Sequence, residues 1–451
     1  MAFLGWDSLL IAAGAIVLWS LGLYALQRRN FLEKRGLYPN PPPAGPFLMW
    51  KTVRGRAFIE WLARPKRLWR VFGDLAILLV AVTMVGTTLL LIWEATLVQT
   101  QSVRNNPPSP DLLLGLPGIN PIIPLGYGIF GLAIAIVLHE FSHGILSRVA
   151  RVQIRSLGLI FLIFPIGAFV EPDEEEMRAL PRRDRARLFA AGPATNVLLA
   201  ILFAFLFSSV MMSSVAPIQQ GVGIVGFPQE GPSPARDAGM QPYTVITKIN
   251  GTEIHGLADF TNVLKQVQLN RTIPVEAYDL ASGSTLMYNV TPVERNNVTQ
   301  RALLGILAFD VDTIYYHPLT NPDRFGGIPG SILSYVSLPF QLQGRAPLDD
   351  PAIRFYRISG PLAGVPALFW LLANTAYWLF WLNIMLGLTN ALPAIPLDGG
   401  YIFKDGIEGL VSRLRKGIST EDRDRIVRGV SYAFAFLILS LVLWQLIGPR
   451  I

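Results

Sequence analysis

Six stretches of this chain, near residues 8–27, 75–98, 127–147, 188–213, 366–392 and 429–447, each run for 19 residues or more without a Lys or Arg. A bilayer core is crossed by about 20 apolar residues of helix, and every backbone N–H and C=O inside it must be bonded within protein. The chain is therefore predicted to be a polytopic α-helical membrane protein with about six transmembrane helices. Its 51% apolar and 15% charged residues exclude disordered, collagen-like and ordinary soluble classes. With no Cys there are no disulfides, thiolate metal sites or cysteine nucleophiles. The first stretch lacks a basic leader and a small-residue cleavage site, and reads as a retained helix rather than a signal peptide.

Charge alternates across the loops. Of 38 Lys and Arg, eleven lie in 28–70, eight in 148–187 and seven in 400–428, whereas 99–126 has only Arg104. Segment 214–365 carries ten basic and twelve acidic residues. The positive-inside tendency puts the three basic loops in the cytoplasm and 214–365, with both termini, outside. The net charge of +7 is thus topological, and nucleic acid is not an expected partner. Four Asn-x-Ser/Thr sequons (Asn250, Asn270, Asn289, Asn297) fall in the outer segment, a weak but concordant sign. No organelle-targeting signal is evident, so a prokaryotic cell membrane is expected. Segment 157–170 is apolar but too short to cross, and Pro165 and Gly167 interrupt it. Its aromatic and β-branched content predicts a re-entrant or interfacial β segment, tolerated only inside protein or beside water.

Two of the four histidines, His139 and His143, stand four residues apart inside the third span, with Glu140 beside them. On a helix this spacing puts both imidazoles on one face, one turn apart, as two ligands of one metal. Glu140 is placed to take a proton from activated water. The motif begins nine residues before Arg148, roughly 14 Å along a helix. An acid and two imidazoles at that depth are functional by default. The bland alternative is a polar network that only holds helices together.

A catalytic zinc needs a third protein ligand. His255 and His317 lie in the outer segment and read as surface or locally bonded histidines. Asp398 closes the fifth span, in Asn390-Ala-Leu-Pro-Ala-Ile-Pro-Leu-Asp398-Gly-Gly, on the same cytoplasmic side as the motif. Pro393 and Pro396 break the helix, and Gly399 and Gly400 free the backbone for a turn that aims the carboxylate. The competing reading of Asp398 is a helix cap.

His139-Glu-Phe-Ser-His143, together with Asn390 to Gly400, resembles the site-2 protease family of intramembrane zinc metalloproteases; Gly167-Ala-Phe-Val-Glu171 and Ala191-Gly-Pro-Ala-Thr-Asn196 are similar to it as well. The resemblance covers about 127–213 and 366–405. It implies one zinc per chain held by His139, His143 and Asp398, with Glu140 as general base. It also implies that Gly167, Ala168, Phe169 and Val170, on the strand preceding the second core helix, line the cleft and pair with an unwound substrate. Asn196 and Asn390 occupy positions where the family has polar residues near zinc, and either is a candidate to bind the oxyanion. The implied activity is a zinc metalloendopeptidase acting within or near transmembrane helices of membrane-protein substrates, in regulated intramembrane proteolysis. The alternative is a non-catalytic membrane receptor or scaffold. An intact motif with an intact base argues against it.

Residues 218–296 are expected to form a small extracytoplasmic α/β domain. Strands are predicted near 221–227, 272–280 and 284–293, helices at 234–240 and 257–267, and a hairpin turning at Asn250-Gly251. Their order, with Ser-Pro-Ala-Arg-Asp-Ala-Gly-Met240, resembles an inserted PDZ domain, which implies a peptide C-terminus or unfolded chain as partner; a spacer or lid is the alternative. The expected organisation is N-terminal helices and basic loop (1–126), first catalytic part (127–213), PDZ-like domain (218–296), extracytoplasmic or interfacial connector (297–365), second catalytic part (366–405), and cytoplasmic loop with a last helix (406–451).

Overall fold

The computed structural model describes residues 6–41, 45–105, 107–113, 115, 117–294, 302–312, 318–342 and 348–451. His317 and the sequon at Asn297 lie outside the described residues. Numbered along the chain, the α-helices are α1 (Trp6–Arg28), α2 (Arg56–Leu62), α3 (Lys66–Leu97), α4 (Gln101–Asn105), α5 (Leu125–Val149), α6 (Glu174–Arg178), α7 (Arg182–Phe205), α8 (Pro234–Asp237), α9 (Leu257–Gln266), α10 (Gly327–Leu342), α11 (Pro366–Asn390), α12 (Asp398–Leu414) and α13 (Thr420–Ile447). Five candidate spans, Lys66–Leu97, Leu125–Val149, Arg182–Ser214, Pro366–Asn390 and Thr420–Arg450, are long and apolar enough to cross a membrane among the described residues. The remaining expected span coincides with the 23-residue α1. The chain divides into two units, Met1–Leu202 with Trp378–Ile451, and Phe203–Tyr377.

In the first unit, α3 exposes Leu68, Leu75, Val82 and Leu89 at seven-residue intervals, one apolar face suited to lipid. Its other face packs small residues: Ala76 and Val80 meet Ala190 and Ala194 of α7. Between membrane helices there is no hydrophobic drive, so close backbone approach through small side chains is what gives contact. At the charged end of α7, Arg187 bonds Asp74 of α3 at 2.7 Å and Arg185 bonds Asp405 of α12 through two nitrogens at 2.7 Å each. These forked pairs fix three helices against one another.

A four-stranded antiparallel sheet joins them, in the order β1 (Leu37–Asn40), β2 (Phe47–Thr52), β3 (Ile154–Leu162), β4 (Phe164–Pro172). The predicted β segment is thus a hairpin, with Leu159 opposite Ala168 and Ile163 in the left-handed region at the bend. Two strands from the first basic loop extend it, with Trp50 opposite Leu159. Ile154 and Val170 of the hairpin pack with Ile59 of α2, Ile145 and Leu146 of α5 and Ala191 of α7, so the sheet is seated on the motif helix.

The acidic residues at the end of β4 and just beyond it are partly structural. Glu171 accepts from Lys51 Nζ at 2.8 Å and from the Ser156 hydroxyl, and Asp173 caps α6 through the amides of Glu175 and Glu176. Partial burial raises the Glu171 pKa, but Lys51 and Ser156 outweigh it and hold the carboxyl below its usual range.

In the second unit an antiparallel sheet runs β10 (Ser284–Val290), β9 (Ile273–Asp279), β7 (Thr244–Ile249), β6 (Val222–Gly226), β13 (Leu307–Asp310), with β8 (Thr252–Glu253) on β7. Asn250 (φ 48°) and Gly251 (φ 80°) make the β7–β8 turn, as predicted. Ile224, Ile246, Val275, Ala277, Phe260 and Leu304 fill its core. The short pairs β5 (Val215–Pro217) with β14 (Tyr356–Ile358), and β11 (Val293–Glu294) with β12 (Ala302–Leu303), complete the strands. Leu304 and β13 carry this fold beyond residue 296, the expected boundary. His255 is exposed, 3.6 Å from Glu253.

A carboxyl held low contributes stability above its unfolded pKa and loses it as pH falls through the folded value. Glu171→Gln should therefore lower the unfolding temperature more at pH 7 than at pH 3, since the contribution shrinks as pH falls below the ordinary Glu value of 4.5 toward the lower folded one. Thermal melts in detergent at both pH values check this; an equal deficit at both would contradict it.

Candidate metal centre

The site is assembled from α5, α7 and the start of α12. Helical spacing puts His139 and His143 one turn apart, with ring centroids 4.8 Å apart and Nε2 atoms 3.1 Å apart. Asp398 Oδ2 lies 3.1 Å from His139 Nε2 and 3.3 Å from His143 Nε2. Ligand atoms about 2.0–2.1 Å from one zinc in a tetrahedral arrangement are separated by roughly 3.3 Å. The three donors match that spacing.

The far side of each ring says which nitrogen faces inward. His143 Nδ1 is 2.8 Å from the Leu188 carbonyl, which only accepts, so in the neutral ring Nδ1 carries the hydrogen. His139 Nδ1 is 2.5 Å from Asn196 Oδ1, likewise an acceptor. Both Nε2 atoms then offer lone pairs toward each other and toward a carboxylate. Three acceptors facing one point with no hydrogen between them repel one another unless a cation sits there. His139 and His143, with Asp398, form a buried cluster fit to hold a metal ion.

Room for it is kept by Gly192. A Cβ there would lie 2.4 Å from His143 Nε2 and 2.5 Å from His139 Nε2. Pro193, inside α7, has no N–H for the Phe189 carbonyl, the next carbonyl after the Leu188 oxygen. Asp398 caps nothing; it is the first residue of α12, whose N-cap is Leu397. Gly399 and Gly400 lie in that helix, not in a turn, which corrects the sequence expectation. They provide closeness: a Cβ at Gly399 would meet Ala391 O at 2.1 Å, and one at Gly400 would meet the Ala394 carbonyl carbon at 2.5 Å.

A cavity of about 360 Å³ opens on the cluster, lined among others by Glu140, Val170, Phe189, Leu386 and Asn390. Glu140 Oε2 accepts from the Val170 amide at 3.0 Å, so strand β4 fixes the orientation of the acid. Gly167, Ala168 and Phe169 continue β4, opposite Ile160, Leu159 and Gly158. Asn390 lines the same cavity. Asn196 does not fit the role of oxyanion donor: Nδ2 donates to Ala135 O at 3.1 Å and to Asn383 Oδ1 at 2.9 Å, which engages both its hydrogens. It stands behind His139 instead. Leu188 O, the Val170 amide and Asn383 have no motif in sequence; for Asn383 the available signal was an amide, one of three Asn, in an otherwise apolar span.

The model of Peptidase family M50 matches residues 127–438. The chain belongs to that family, the site-2 proteases, and is a zinc metalloprotease of the membrane. It is 24% identical to the protein MJ0971 of Methanocaldococcus jannaschii over 406 residues, 90% of this chain and 87% of that one. It is 24% identical to zinc metalloprotease RasP of Shouchella clausii over 285 residues, 62% of this chain and 63% of the other. The scaffold alternative is not favoured by these relatives.

Gly192→Ala tests the cradle. The added methyl must push the imidazoles out of register, so zinc measured per chain of folded, detergent-purified protein should fall sharply. Full zinc retention would contradict the geometry.

Proposed function

We propose that this protease hydrolyses peptide bonds within or near the transmembrane helices of membrane-protein substrates, in regulated intramembrane proteolysis. The observation that carries the reading is the acid Glu140 beside the His139, His143 and Asp398 cluster in one cavity among apolar helices. Zinc held by three protein ligands supplies Lewis-acid activation of water and of a peptide carbonyl. Glu140 takes the proton from the attacking water as the new C–O bond forms. It then returns that proton to the amide nitrogen as the C–N bond breaks. The Val170 amide holds one Glu140 oxygen, leaving the other to face the reacting water. The Asn390 amide is the donor suited to the carbonyl oxygen as it gains charge.

A helical substrate hides its carbonyls in its own hydrogen bonds and must unwind to react. Strand β4 ends its sheet, and its edge offers replacement bonds to an extended chain. In an apolar setting that exchange matters more than in water, because unmade bonds there have no solvent to meet.

Orientation follows from charge: the three basic loops face the cytoplasm of a prokaryotic cell, and the small domain and both termini face outward. In that domain an apolar groove of about 310 Å³ lies between α9 and residues 302–306, lined by Leu257, Phe260 and Leu264. This supports the PDZ-like reading, with a peptide C-terminus or unfolded chain as its partner.

Glu140→Gln should retain zinc and fold while cleavage of a single-span substrate in proteoliposomes falls by about 10²–10⁴-fold. Cleavage at the wild-type rate would contradict the assignment.

A further inference from the structure

The polar chain behind His139 ends at a residue that no motif marks. Asn383 of α11 is fully buried. Its Nδ2 donates to Leu379 O at 2.8 Å, which turns its Oδ1 toward Asn196. That oxygen accepts from Asn196 Nδ2 at 2.9 Å, and the other Nδ2 hydrogen goes to Ala135 O at 3.1 Å. Only Asn196 Oδ1 is left to face His139 Nδ1. The direction of every bond is thus set by two backbone carbonyls, Leu379 O and Ala135 O, since a carbonyl accepts and never donates.

We infer that Asn383 is a positioning residue for the metal centre, acting through Asn196 to lock the tautomer and ring orientation of His139. The inference rests on the reading of His139 as a zinc ligand. If Asn196 flipped, its Nδ2 would face His139 Nδ1 and its oxygen would face Ala135 O. His139 would then accept at Nδ1 and carry its hydrogen on Nε2, where it cannot ligate. Asn383 opposes the flip, because its oxygen has a place only for a donor.

Buried Asn side chains between membrane helices often do no more than join them. Asn374 of the same helix likewise does no more than join, here to a non-helical segment: Nδ2 donates to Leu348 O at 2.7 Å, Oδ1 accepts from Leu348 N at 3.1 Å, and the pair closes on one residue. Asn383 instead passes its acceptor to a second side chain that ends on an imidazole. The contrast supplies an internal control.

The test uses full-length protein in detergent, with zinc affinity read by chelator competition and unfolding temperature read on the metal-free form. Asn383→Leu and Asn383→Ala should each weaken zinc binding by about 10–100-fold. Using both keeps the test open should one of them not fold. Asn383→Asp, which as a neutral acid can donate to Leu379 O and accept from Asn196, should bind within about threefold of wild type. Asn374→Leu should lower the unfolding temperature with zinc affinity unchanged. Wild-type affinity in Asn383→Leu and Asn383→Ala would overturn the inference, as would equal weakening in Asn383→Asp. Undiminished zinc affinity in His139→Ala would instead overturn the ligand reading beneath it.

Discussion

Three lone-pair donors meet in the buried interior of this protein with no hydrogen among them. His139 Nε2, His143 Nε2 and Asp398 Oδ2 lie 3.1–3.3 Å apart, and each is held there from behind. Leu188 O takes the hydrogen of one ring, Asn196 Oδ1 that of the other, and the start of α12 delivers the carboxylate. That arrangement is unfavourable without a cation and well formed with one. Much of the first unit can be understood as what keeps these atoms together.

Two kinds of contact do so, each suited to its depth. Toward the apolar middle, small residues bring backbones close: Gly192 beside the imidazoles, Ala190 and Ala194 against α3. At the charged end, guanidinium forks tie α7 to α3 through Asp74 and to α12 through Asp405, seven residues after the ligand Asp398. The acid Glu140 is governed separately, by an amide of strand β4. One sheet edge therefore both orients the acid and borders the cavity where a substrate would lie.

The motif helix was legible in sequence because helical geometry leaves no freedom: residues four apart share a face wherever the helix lies. Asp398 was legible through topology, which brings the end of the fifth span to the side of the motif. The outer turn at Asn250-Gly251 was legible because two successive left-handed residues favour that pair. What escaped depends on packing. Asn196 stood out as a polar residue near zinc, but whether its amide faces a substrate or a ligand is decided by how α7 lies on α5. The Leu188 carbonyl and the Val170 amide belong to the backbone and leave no residue signature. Strands β1 and β2 sit in a basic, proline-bearing loop without alternation; β2 becomes a strand by pairing with β3, and β1 by pairing with β2. Gly399 and Gly400 were noticed for freedom of φ, whereas their use is the absence of a Cβ.

The central claim is that two distant segments of the chain share one zinc. It is tested most directly by metal content of detergent-purified protein, wild type beside His143→Ala and Asp398→Ala, with folding verified for all three. The account predicts about one zinc per chain in wild type, lost or sharply reduced in both variants. Full retention in Asp398→Ala, or no zinc in well-folded wild type, would contradict it.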